Sequence, residues 1–469
     1  MTDTIPGPLV LLALLALMAG GLYLLRRVEA LAAPAAAGLA MLLAIGLWRL
    51  PLAAPVRLAG RGVWLGQPVA WEDLSLQIAP VTQALLVFLL GVAAVTFILA
   101  WRTYQGYTFY SFGLGLAALW AVAAMLQPLT LAPLALALAA ILAVFLIQAG
   151  KAGETRGAWR QLLFPTLGAP LFLTAAWYID QAPLNPDDPT PYRVAGWLLI
   201  AGFVLLLQPA PVHVAIPAVA GQAPPVVAAF LWIGGQSTTL FLLQRFLVTY
   251  PWLASAVDSA AWLLWLGVFT ALLGGLLAAV QDRLGRYAGY AGLYDYGVVL
   301  VAMGLRGTAG LPTAIWLVLT RTLALLTLAT GAALIRHHLE SDRLDRIAGA
   351  ASRLPWATIA LVMGGFALAG MPLSAQFASR WALLQLLAEN DPRWTIFLLI
   401  GALGVTIGAV RAGRACFGKL SGSPVEREPR GAALLAMGLV IVSVLLGLFP
   451  QLLTEPVAAV ILPLATLGP

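Results

Sequence analysis

Fourteen apolar stretches run along the chain, from 7–25 to 431–452, separated by short polar connections. Each reaches the roughly 20 residues that a helix needs to cross hydrocarbon. The connections stay within roughly 20–25 residues, the length of loops and linkers. Two stretches, 193–220 and 355–388, are longer and interrupted. Pro209, Pro211 and Pro217 break the first, and Gly370 and Pro372 break the second. A proline removes a backbone donor and clashes with the preceding turn, so lipid-exposed backbone does not tolerate such a run. Each broken stretch is followed by a long helix, and each would stand fourth in a five-helix unit. Paired interruptions in corresponding positions point to an inverted repeat. The predicted fold is an all-α polytopic membrane protein of about 14 transmembrane helices, with two inverted five-helix repeats over 108–250 and 256–418. Residues 1–107 supply N-terminal helices and 431–469 a final helix and tail, all within one membrane domain, 1–469.

Composition agrees. Of 469 residues, 61% are hydrophobic and 10% charged, more apolar sequence than a soluble core needs. One cysteine, Cys416, excludes a disulfide framework and a multi-cysteine metal or iron–sulfur site. His337 and His338 are adjacent and His213 lies far off in sequence, so no metal centre is expected. The first stretch lacks a basic leader and a small-residue cleavage site and reads as a span.

The net charge of +7 reflects loop placement rather than nucleic-acid binding. Threaded through the spans, about 17 of the 26 Lys and Arg residues fall on one side, among them Arg26, Lys151, Arg160, Arg286, Arg336 and Lys419. The other side carries Asp180, Asp187, Asp188 and Asp391. The positive-inside rule then places both termini outside. One outer loop, 56–78, has alternating stretches around Gly60-Arg61-Gly62 and Gly66-Gln67-Pro68, compatible with a small β-hairpin or an irregular loop. Tyr104, Tyr107, Trp177 and Tyr250 near span ends read as interfacial anchors, and Glu426 to Glu428 as a solvated charge cluster.

Four segments resemble the antiporter-like membrane subunits of complex I, the proton-pumping NADH:quinone oxidoreductase, and of Mrp cation/proton antiporters. Pro211-Val-His213 with Ile216-Pro217 is similar to that family's P-F-H-x-W-L-P. Ala223-Pro-Pro-Val-Val-Ala-Ala-Phe230-Leu231, running to Arg245-Phe246, is similar to A-P-x-P-V-x-A-F-L…R-x-F. Asp282-Arg283-Leu-Gly-Arg286-Tyr287-Ala288 resembles R-L-L-A-Y-S, and Leu368-Ala-Gly-Met-Pro372 with Phe377-Ala-Ser-Arg380 resembles L-A-G-x-P…G-F-x-x-K. The resemblance implies an N-type, non-redox subunit of a proton-translocating NADH (or other donor):quinone oxidoreductase. It implies no cofactor in this chain, other membrane subunits and the lipid bilayer as partners, and a bacterial-type plasma membrane as location. A stand-alone Mrp-like antiporter and a purely structural scaffold subunit are the alternative readings.

The resemblance also implies a row of buried titratable groups, which this chain largely lacks. The fifth-helix glutamate falls near Ala135 or Leu136, the seventh-helix lysine on Leu206 and the eighth-helix lysine on Gln236, while an acidic position before the third helix falls on Ala79. The lysines, Lys151 and Lys419, both lie in loops. What remains inside spans is Arg380 at the twelfth-helix cation position, Arg321, Asp295 and His213. Arginine does not give up its proton, so Arg321 and Arg380 are fixed charges that need a partner or water. Asp295 is a candidate partner for Arg321 or, failing that, a titrating relay. His213, among prolines and freed carbonyls, is a structural histidine or a relay. Gln208, Gln236, Ser237 and Thr238 could hold water without moving charge.

Overall fold

The computed structural model describes residues 4–58, 61–103, 105–149, 155–184, 187–418 and 427–453. Tyr104, Lys151, Lys419, Glu426, the turn glycine Gly60 and the tail from 454 lie outside them. Eighteen α-helices are described. They are α1 (Gly7–Leu24), α2 (Glu29–Arg49), α3 (Pro80–Ala100), α4 (Phe109–Met125), α5 (Ala132–Gln148), α6 (Arg156–Gln181), α7 (Thr190–Leu207), α8 (Ala215–Gln222) and α9 (Pro225–Thr249). Then follow α10 (Trp252–Val257), α11 (Ser259–Ala279), α12 (Leu284–Gly304), α13 (Gly310–Leu339), α14 (Ala350–Arg353), α15 (Pro355–Ala369), α16 (Phe377–Asn390), α17 (Pro392–Cys416) and α18 (Arg430–Leu448). Eleven of the described helices are long and apolar enough to cross a membrane, and α4 and α15 are shorter apolar ones. Several begin on proline, whose missing donor costs nothing in the first turn.

Both interrupted stretches divide where the prolines and glycines stand. After α7 the chain turns at Gln208, in the left-handed region at φ 51°, and resumes as α8. The amide of Ala210 inside this break donates to Thr270 Oγ1 of α11 at 3.0 Å. After α15 the chain turns at Gly370, φ 78°, where the lack of a Cβ makes that conformation cheap. It resumes as α16. Freed backbone groups at both breaks find partners inside the protein, as membrane depth requires.

The 56–78 connection holds more regular structure than one hairpin. Strands β1 (Thr4–Pro6), β2 (Val56–Leu58) and β3 (Arg61–Trp64) form one sheet in the order β1-β3-β2, in which β1 runs parallel to β3. Strands β4 (Val69–Trp71), β5 (Leu74–Leu76) and β6 (Leu126–Gln127) form a second, antiparallel sheet. One partner of each of β3 and β5, namely β1 and β6, comes from 50 or more residues away, beyond what a local alternation pattern registers.

Burial orders the bundle. Helices α9 and α13 are 83% buried along their apolar windows, whereas α1, α6 and α18 are 28%, 28% and 22% buried. A helix apolar all round belongs in the core or in lipid. Here α9, α12 and α13 take the core, and the outer helices turn Leu17, Leu24, Trp48, Leu403 and Leu434 outward. Small residues set the closest approach. A Cβ on Gly274 of α11 would stand 2.5 Å from the Tyr294 amide of α12. The two backbones therefore touch beside Asp295, an arrangement typical of membrane helix pairs.

Candidate functional site

Asp295 sits midway along α12 with no exposed surface, between Tyr294 and Tyr296. A lone carboxylate there would be prohibitively costly, so its partners define the site. Arg321 of α13 donates from Nε to Asp295 Oδ2 at 2.9 Å. Arg380, in the first turn of α16, donates from Nη2 to Asp295 Oδ1 at 2.5 Å. The amide of Gln376, in the break itself, donates to the same oxygen at 2.7 Å. The two arginines are 2% and 3% exposed, so this is a buried triad of two cations and one anion.

The second break explains why Arg380 reaches the centre. Its Nη2 also donates to the Leu368 carbonyl at 3.0 Å, one of the groups that the end of α15 leaves free. A Cβ on Gly370 would stand 2.7 Å from Arg380 Cγ, so only glycine lets the side chain pass. Arg380 lies over the Tyr294 ring at 5.1 Å, and Arg321 over Tyr296 at 5.3 Å. The tyrosines that flank Asp295 thus supply a face to each guanidinium.

Arg321 also points the other way. Its Nη2 donates to Gln236 Oε1 of α9 at 2.8 Å. Gln236 in turn lines a cavity of about 60 Å³ enclosed by α4 to α9. Leu136, Leu206, Gln208, Gln161, Trp232 and Thr239 share its wall, and none of its lining residues is ionisable. At roughly 10–15 Å³ per water centre, a space of this size accommodates a few waters. Leu206 and Gln236, where the resemblance places two lysines, and Leu136, one of the two positions near which it places a glutamate, therefore line one cavity without a titratable group, while Ala135 does not line it.

His213 is not brought to this site. It lies half-exposed in the first break, its Nδ1 3.2 Å from the Pro211 carbonyl and its ring 6.2 Å from Tyr290, and it does not line the cavity. Ser237 is buried facing an apolar crevice between α3, α9, α12 and α13, and Thr238 bonds its own helix at the Gly234 carbonyl. Among the described residues no cluster of His, Cys, Asp and Glu could hold a metal ion.

Comparison with known proteins places this geometry. Residues 189–407 match the transmembrane family model of the NADH:quinone oxidoreductase/Mrp antiporter. The match covers just under half of the chain. The chain is 31% identical over 284 residues to the NADH-quinone oxidoreductase subunit N of Methylococcus capsulatus, covering 58% of this chain and 56% of that protein. It is 29% identical over 273 residues to subunit N of Cereibacter sphaeroides, covering 56% and 58%. It thus spans just over half the length of the curated relatives it matches. In fold it is similar to a chain of the Mrp complex from Dietzia sp. (TM-score 0.81, 20% identity, 97% of this chain and 51% of that one). It is similar also to a chain of respiratory complex I from Thermus thermophilus (TM-score 0.71, 21% identity, 96% and 99%).

Gln376, Gln161 and the Tyr294/Tyr296 pair are site residues that pattern reading passed over. Uncharged side chains in apolar helices give no charge signal. The Tyr-Asp-Tyr run is the one local sign that could have found the two ring faces.

Proposed function

We propose that the chain is an antiporter-like membrane-arm subunit of a complex I-type, quinone-reducing assembly, in which the N-terminal half no longer carries protons. The observation behind this reading is the cavity where Leu136, Leu206 and Gln236 meet, whose wall has no group able to take up or release a proton. A lysine–carboxylate pair there could load and release protons; a leucine and an amide cannot. The C-terminal half keeps charge, but as a fixed triad. Asp295 is the shared counter-ion of two arginines, and we read it as an electrostatic anchor rather than a relay. His213 stays outside this path as a histidine bonded to the break. The broken helices would stand fourth in two inverted units, 108–250 and 256–418, with both termini outside the membrane.

An Mrp-like antiporter needs a carboxylate free to receive the ion. Both oxygens of Asp295 are occupied by Arg321, Arg380 and Gln376, which favours the complex I reading. A tagged chain expressed from its own locus and solubilised in mild detergent is expected to co-purify with quinone reductase activity. Recovery of the chain alone, together with sodium- or potassium-driven proton exchange in vesicles, would sink the proposal.

A further inference from the structure

The buried triad does not balance its charge. Arg321 and Arg380 contribute two positive charges and Asp295 one negative, and among the described residues no other carboxylate is buried. Arginine cannot lose its proton to settle the account, so one positive charge stays in the core. Hydrogen bonding leans the same way. Arg321 Nη1, Arg380 Nε and Trp232 Nε1 are buried obligate donors with no partner among the protein groups, against one obligate acceptor, Gln376 Oε1, and the hydroxyls of Ser237 and Tyr296, which can take either role. A surplus of donors beside a surplus positive charge calls for an acceptor that is itself negative.

We propose that the surplus positive charge of the triad is met by one small monovalent anion, a halide such as chloride, held at the free Nη1 of Arg321, the arginine that also bonds Gln236 on the cavity wall. A monovalent ion neutralises the net charge. A phosphate or a dicarboxylate would overshoot it and would cost far more to dehydrate, because that cost rises with the square of the charge. Access runs through the uncharged cavity. Gln161 and Gln236, both half-buried, stand on its wall, and Gln236 bonds Arg321 directly. Arg160, 3.5 Å from the Val214 carbonyl, and Arg286, packed along Gly221, put positive charge at the α8 side of this route. Such a field raises the local concentration of anions.

The test uses the full chain in detergent, with chloride exchanged for gluconate at constant ionic strength. Thermal unfolding and equilibrium dialysis with radiolabelled chloride are both read. Wild-type protein is expected to gain several degrees of midpoint from chloride and to bind one ion per chain. Arg321→Gln and Arg380→Gln each leave a neutral Arg–Asp pair, so neither variant depends on the anion to fold. Each is expected to bind chloride at least about tenfold more weakly and to lose the chloride-dependent shift. The proposal is overturned if wild-type stability is the same in chloride and gluconate with no ion bound, or if both variants keep the wild-type response.

Discussion

Asp295→Ala is expected to destabilise the chain by on the order of 3–5 kcal/mol and to remove most of it from the membrane fraction. The carboxylate is the one negative group between two buried guanidiniums, at 2.9 and 2.5 Å. Deleting it leaves two uncompensated cations facing each other. Removing one arginine instead leaves a matched pair, so Arg321→Gln should be much milder although it deletes two hydrogen bonds. The charge argument also sets the behaviour of combinations. Replacing all three groups, as Asp295→Leu with Arg321→Met and Arg380→Met, is expected to restore accumulation well above Asp295→Ala alone, because well-packed apolar groups replace buried ion clusters with little loss. Membrane abundance and thermal unfolding of the four proteins, compared side by side, check the ranking. If the triple variant were worse than Asp295→Ala, the charge balance would not be what holds this core.

Gly370→Val is the second change with a large expected effect. Gly370 is at φ 78°, a conformation that costs a residue with a Cβ roughly 1–2 kcal/mol. The added Cβ would also stand 2.7 Å from Arg380 Cγ, and overpacking of that kind costs typically 1–3 kcal/mol. The two costs fall on one structural point, because Arg380 bridges Asp295 and the Leu368 carbonyl at the end of α15. The variant is expected to unfold at a clearly lower temperature and to lose the response to Arg380→Gln, since the guanidinium is already displaced. A double-mutant cycle of Gly370→Val with Arg380→Gln measures this coupling. Strict additivity would show that the glycine does not position the arginine.

These effects arise at points that local sequence marks unevenly. The breaks at 193–220 and 355–388 were legible, because proline and glycine act on the backbone within one turn. The match of Asp295 with Arg321 was open to arithmetic, as an isolated carboxylate in apolar sequence needs a cation. That Arg380 completes a triad was not legible. It depends on how the second break sets α16 against α13 so that Arg380 reaches Asp295 of α12, which no periodicity encodes. Nor did pattern reveal that Leu136, Leu206 and Gln236 face one cavity, because an amide and two leucines look like ordinary lining of a helix bundle. The parallel contact of β1 with β3 joins residues from the two ends of the first two helices, so it too was invisible to local alternation.

The central claim is that no proton crosses the cavity lined by Leu136, Leu206 and Gln236. It is tested most directly by the ratio of protons translocated to electrons passed to quinone, measured in inverted vesicles that contain the assembled complex. The double variant Gln161→Leu/Thr239→Val removes polar groups from the cavity wall and leaves the triad and Gln236 in place. The ratio is expected to equal that of the wild type at matched assembly. A fall in that ratio, with electron transfer intact, would contradict the account.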